Sequence, residues 1–179
     1  MTTNRYTGIA IALHWLMAIG IVGLFALGVY MHELPLSPDK LKLYAWHKWA
    51  GVSVFLLVIV RLAWRVTHRP PSLPEHMPRP EQWLAHAGHH LLYLLMFAIP
   101  LSGWLMSSAK GFQTVWFGLL PLPDLLEKNK EIGDLLQTVH WALNMSLAVV
   151  VLGHAAAALK HHFLSRDDVL TRMLPKFAR

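Results

Sequence analysis

Cysteine is absent from the 179 residues. That excludes disulfides, thiolate-held clusters and covalently attached c-type haem, and it leaves the compartment open, because a chain without thiols is indifferent to redox poise. Charge is scarce too: 15% of residues carry it, against roughly a quarter in a soluble domain. The net charge is +6, yet no separate basic domain exists to carry it, which argues against a nucleic-acid binder. Internal repeats and low-complexity tracts are also missing. The length suits one domain over residues 1–179.

What the chain has in place of charge is length of apolar run. A helix needs about 20 apolar residues to cross a bilayer. Four stretches meet that, at about residues 8–31, 44–64, 86–106 and 137–159, and none contains Asp or Glu. Strands fit poorly, since no short alternating pattern with regular turns is present. Punctuation falls between the runs: "LPLSPDK" after the first, "RPPSLPEHMPRPE" with five prolines after the second, and "PLPDLLEKNKEIGD" before the fourth, where a short surface helix is expected. The first run is longer than the apolar core of a signal peptide, has only Arg5 ahead of it and no A-x-A site behind it, so it reads as a retained anchor helix.

The basic residues sort by side. One side holds Arg5, Arg61, Arg65, Arg69, Arg79, Lys160, Arg166, Arg172, Lys176 and Arg179 against Glu75, Glu81, Asp167 and Asp168, for a net of +6. The other holds six lysines (40, 42, 48, 110, 128, 130) against six acids, for a net of zero. The excess of Lys and Arg puts both termini in the cytoplasm. The expected fold is therefore all-α: an integral membrane four-helix bundle, up-down-up-down, with both termini cytoplasmic.

Twelve histidines are many for such a chain, and some lie where lipid would be. In "HWALNMSLAVVVLGH", His140 and His154 bracket an apolar run. Fourteen residues at ~1.5 Å rise separate them by about 21 Å, and fourteen steps of ~100° leave both rings on one face. His14 on the first run matches the depth of His154. His47, read as beginning the second helix at the outer surface, matches His140. Ionisable groups at such depths are costly and usually functional. Two imidazoles facing each other at each of two levels suit a bis-histidine b-type haem at each level, whose flat apolar macrocycle fills the space between helices. Gly51, Gly153, Ala155 to Ala158, Gly20, Gly23 and Gly28 give small surfaces for it, although helix packing favours the same residues.

Other candidates are less decided by the residues alone. Arg61 and Arg65, one turn apart at the inner level, either pair with haem propionates or act as positive-inside anchors. His86 and His89 open the third run and either contact propionates or a quinone, or sit at headgroup level. Lys48 and Lys110 are the outer equivalents of the arginines. A histidine-lined metal-ion transporter is disfavoured: such a site gathers about four ligands at one point, often with carboxylates, and these histidines divide between two levels.

With these residues placed, the sequence resembles the bacterial di-haem cytochrome b561 family. The likeness rests on "ALHW" around His14, "HKWAG" at His47, "VRLAWR", "LAHAGHHLLYLL" and, most specifically, "HAAAALKHHFLSRDDVLTRMLP". The resemblance implies axial ligation of two b-type haems by His14, His47, His140 and His154, paired His14/His154 on the cytoplasmic side and His47/His140 on the periplasmic side. It implies a multi-pass electron carrier of the bacterial inner membrane that exchanges electrons with ubiquinone. It further implies an oxidoreductase that oxidises superoxide at the periplasmic side. The alternative it leaves open is the haem b subunit of a larger quinone-linked dehydrogenase or hydrogenase.

Overall fold

Four helices dominate the computed structural model, which describes residues 5–175, and each begins where a capping side chain or a proline sets its first turn. Thr7 accepts from the Ala10 N–H to start α1 (Gly8–Glu33). Ser37 accepts from Lys40 N–H, and Pro38 occupies the first position of α2 (Pro38–Thr67). Asn129 accepts from Ile132 N–H to start α4 (Lys130–Lys160). Each cap satisfies a backbone donor that the first turn leaves orphaned. Pro78 and Pro80 frame the start of α3 (Arg79–Ala109), where a missing N–H costs nothing. At its other end Gly111, at φ +73°, takes the left-handed position; Gly111 N–H bonds Ser108 O and Phe112 N–H bonds Ser107 O, the paired bonds of a Schellman stop.

α2, α3 and α4 outrun their apolar stretches at both ends, and α1 at its C-terminal end. Capping therefore corrects one expectation: α2 starts at Pro38, so His47 lies well inside the helix and does not begin it. The short surface helix expected before the fourth span is absent. Residues 130–134 are instead the first turn of α4, and the connection ahead of it folds as a two-stranded antiparallel hairpin, β1 (Val115–Trp116) and β2 (Leu120–Pro121). Pro121 and Pro123 are the physical reason, since neither suits a helix interior.

All four helices are long and apolar enough to cross a membrane, and their surfaces are inside-out relative to a soluble bundle. Ile19, Val149 and Leu152 are each 70% exposed, while serines 102, 107 and 108 are buried. That distribution suits hydrocarbon, where backbone bonds close within each helix and apolar side chains meet lipid.

α1 and α2 form one antiparallel pair. Gly20 lies against Val54 and Gly28 against His47, while Arg61 donates to Ala10 O and the Trp64 indole to Thr7 Oγ1. α3 and α4 form the second and more closely packed pair. Between the pairs, α2 meets α3 more sparsely, with the Phe55 and Phe97 rings edge to face at 5.6 Å.

One end of the bundle, here the arginine end, is closed by the C-terminal segment. α4 passes into a single wide π-type turn (His161–Ser165) and stops at Arg166, whose φ is +53°. Residues 167–175 then fold back across the helix ends. The Trp15 indole donates to Met173 O at 2.9 Å, Arg5 donates to Leu174 O, and Arg172 donates to Ser72 O while pairing with Asp168 at 2.7 Å. Lys176 and Arg179, counted among the charges of this end, lie outside the described residues.

Candidate functional site

The seam between the two helix pairs is where histidines meet. At the arginine end, His14 of α1 faces His154 of α4 with ring centres 6.2 Å apart. At the lysine end, His47 of α2 faces His140 of α4 with ring centres 6.5 Å apart. All four rings are half-buried. The two levels separate because α4 carries its two histidines fourteen residues apart, about 21 Å at helical rise.

The separations have chemical meaning. Two imidazoles bound on opposite sides of one metal, each at ~2 Å, hold their ring centres roughly 6 Å apart. Rings stacked or hydrogen-bonded to each other would sit closer or share a proton, and neither pair shows a ring-to-ring hydrogen bond. His47 Nδ1 is buried without a partner, an orphaned atom of the kind that marks a ligand position or a strained site.

His140 is held differently. Its Nδ1 lies 2.9 Å from Ser102 Oγ and 3.1 Å from Ile99 O, while the Ser102 hydroxyl donates to the same Ile99 carbonyl at 2.7 Å. This fixes the proton on Nδ1 and leaves Nε2 as the nitrogen free to bind a metal. Gly103 makes room for the ring: a Cβ there would lie 3.1 Å from His140 Cε1. Ser102 and Gly103 were not singled out by the sequence, although a Ser-Gly pair after Pro100 does interrupt the apolar run of the third span.

The glycines expected to face a macrocycle divide into two groups. Gly20 and Gly28 are close-approach points for α2 side chains, Gly28 for the His47 ring itself at 3.4 Å from an added Cβ. Gly23, Gly51 and Gly153 would meet nothing within 4 Å, as befits surfaces left for lipid or a large flat group. The donor set is all imidazole, and among the described residues no carboxylate pairs with any of the four rings. Among the described residues no three His, Cys, Asp or Glu side chains gather to hold a bare metal ion. The residues therefore fit haem and do not fit a zinc-type centre.

Of the remaining candidates, His89 joins the arginine-end pair, its ring 5.5 Å from His154, whereas His86 is exposed and only lends its carbonyl to His90. Arg61 and Arg65 reach the same end. The Arg65 guanidinium stands 5.8 Å over the Tyr93 ring, and both arginines line a small cleft with Tyr6, Trp64 and Tyr93, where the Tyr93 hydroxyl is buried without a partner. Such a hydroxyl beside two guanidiniums suits a carboxylate-bearing group. Lys48 is engaged by the connection between α3 and α4, and Lys110 by the first turns of α4. Lys48 donates to Phe112 O at 2.9 Å, and Lys110 bonds Gln137 and pairs with Asp134 at 3.5 Å.

Comparison with known proteins adds the following. The family described as prokaryotic cytochrome b561 matches residues 5–176. "Cytochrome b561 homolog 2" of Escherichia coli (strain K12) is 40% identical over 177 residues, covering 98% of this chain and 94% of that protein. "Probable superoxide oxidase CybB" of Yersinia pestis is 31% identical over 176 residues, covering 97% of each. "Cytochrome b561 homolog 1" of Escherichia coli (strain K12) is 30% identical over 179 residues, covering 97% of this chain and 98% of that protein.

Proposed function

The chain belongs to the prokaryotic cytochrome b561 family, and from that premise we propose that it binds two b-type haems, one at each histidine pair, and carries electrons from superoxide to ubiquinone. Membrane electron transfer and a multi-pass place in the inner membrane come with the family and the four spans.

What supports it is one observation: the histidines of three different helices meet as two pairs, 6.2 and 6.5 Å between ring centres, at two levels of one seam. His14 and His154 would hold one haem and His47 and His140 the other. When bound, such a haem would supply reversible one-electron chemistry. The protein's part is to hold and shield. Ser102 and Ile99 fix the tautomer of His140. The Phe55 and Phe97 rings, edge to face at 5.6 Å, join α2 to α3 with apolar surface. Arg61, Arg65 and the Tyr93 hydroxyl offer donors to propionates at the arginine end, which the positive-inside rule turns toward the cytoplasm.

At the lysine end, facing the periplasm, Lys48 stands next to His47. It donates to the Phe112 carbonyl and feels the Asp124 carboxylate without forming an ion pair within 4 Å, and in this reading its charge steers an anion such as superoxide. The name of the Yersinia pestis relative points to the same donor.

A pyridine haemochrome count on the purified protein should give two b-type haems per chain, and superoxide should reduce ubiquinone only when the protein is present. A folded preparation from haem-replete cells with no Soret band would overturn the haem assignment. Two haems without superoxide-driven quinone reduction would overturn the donor and acceptor alone.

A further inference from the structure

Between Lys110 and Asp124 the chain carries no charged residue. A water-facing connection between two membrane helices would be expected to carry some. The large apolar side chains exposed on its hairpin are Phe117 at 54%, Leu119 at 86% and Leu120 at 52%.

The hairpin does not stand clear of the bundle. It folds down along α2. The Trp49 indole donates to Val115 O at 2.6 Å, the Trp116 indole donates to Trp49 O and Ser53 Oγ, and the Phe117 ring packs 5.6 Å from Trp49. Trp49 and Ser53 lie beyond His47 in the direction of the arginine end, ~3 and ~9 Å deeper along the helix axis. His47 itself sits beside Gly28 of α1, and α1 stays apolar as far as Met31. The hairpin therefore reaches a depth at which the neighbouring helix is still inside its apolar span.

We propose that residues 112–122 form a re-entrant hairpin seated in the membrane leaflet at the lysine end, with Phe117, Leu119 and Leu120 against phospholipid acyl chains. Two further features belong to this reading. The first is continuity: positions 49, 53, 56 and 60 share one face of α2 at helical spacing, the hairpin covers the upper two, and Leu56 and Val60 below it are open apolar surface of the spanning helix. The second is the backbone. Irregular chain at membrane depth is tolerated only where protein satisfies its polar groups. Here Gly118 N–H bonds Val115 O, Leu119 N–H bonds Trp116 O and Leu122 N–H bonds Thr114 O. The carbonyls of Phe112, Val115 and Pro123 take side-chain donors from Lys48, Trp49 and Trp104. Pro121 and Pro123 have no N–H to satisfy.

The cysteine-free chain makes the test direct. Leu119→Cys and, independently, Leu120→Cys each introduce a single thiol, with Leu36→Cys in the other connection of the same end as the aqueous control, since Leu36 stands beside Ser37, Asp39 and Lys40, charged company that the hairpin lacks. In phospholipid nanodiscs, a membrane-impermeant maleimide should label Leu36→Cys and leave both hairpin thiols unlabelled. A bimane carried at 119 or 120 should be quenched by lipid spin-labelled high on the acyl chain, in variants whose helical circular dichroism matches the parent. Labelling of 119 and 120 at the rate of 36, without quenching by lipid, overturns the proposal and makes the same apolar face a surface for a protein partner.

Discussion

Ser102 Oγ lies 2.9 Å from His140 Nδ1, and the two share the Ile99 carbonyl. The lysine-end pair is thus asymmetric: α3 orients one ring from behind, while His47 Nδ1 is buried without a partner. Removing such an orienting group costs about 10–100-fold in affinity for the bound metal in comparable sites. Ser102→Ala should therefore weaken haem at one site of two by an amount in that range, measured by haem titration of the apoprotein. His140→Ala should lose that haem outright. If His140→Ala keeps both haems, the ligand assignment fails. If it loses one while Ser102→Ala binds as the parent does, only the role of Ser102 fails.

Gly103 predicts a steric version of the same effect. A Cβ there lies 3.1 Å from His140 Cε1, a distance at which the ring must move. Gly103→Ala should displace the ring and destabilise the protein by about 1–3 kcal/mol, the usual range for overpacking. Gly23→Ala, whose Cβ meets nothing within 4 Å, should be close to neutral. Thermal unfolding in detergent, followed by the Soret band, separates the two.

These supporting residues show what the sequence made legible and what it did not. The four spans and the facing of His14 with His154 and of His47 with His140 were legible because each signal is local: apolar length, absence of acid, and imidazole at a given depth. The helix ends were less so, since caps such as Ser37 and Asn129 carry α2 and α4 past their apolar runs into polar residues. The partners of His140 come from α3, 38 and 41 positions away, and only the packing of α3 on α4 brings them together. The hairpin was not read at all, because its placement depends on indoles of α2 and α3 finding carbonyls 66 and 19 positions away.

The C-terminal segment gives a pH prediction. Asp167 has a side chain only 6% exposed, bonded to His161 Nδ1 at 2.6 Å and to Val169 N–H at 3.1 Å. Burial alone would push its carboxyl up, but the bonds from His161 and Val169 outweigh it and hold it below the ordinary carboxylate value. A depressed value stabilises the folded segment above the unfolded carboxyl's pKa of about 4, and that stability is lost as pH falls through the folded value. Protease protection of the segment should therefore fall in acid, whereas Asp167→Asn should be less protected at neutral pH and lose that acid dependence.

Steering by Lys48 makes a kinetic prediction that tests the proposed donor. Attraction of an anion by a fixed cation raises the encounter rate and weakens with salt. Lys48→Gln should slow superoxide-driven quinone reduction and flatten its dependence on ionic strength, with the haem count unchanged. Since Lys48 also holds Phe112 O, Lys48→Arg serves as the control and should retain both rate and salt dependence. Equal salt dependence in parent and Lys48→Gln would remove Lys48 from the entry path.

His154 has two histidine neighbours, His14 at 6.2 Å and His89 at 5.5 Å between ring centres, and only one can stand opposite it across a metal. Opposed ligation at ~2 Å per bond favours the wider separation, roughly 6 Å or slightly more. It also favours the ring from α1, since His14 faces His154 across the seam between the two helix pairs, whereas His89 belongs to α3, the helix packed directly on α4. His14→Ala should therefore remove the arginine-end haem from the spectrum and leave one haem per chain. His89→Ala should keep two and change only the electron paramagnetic resonance signal or the potential of that site. Loss of haem in His89→Ala with retention in His14→Ala would exchange their roles, and with them the helix that supplies the second ligand at the arginine end.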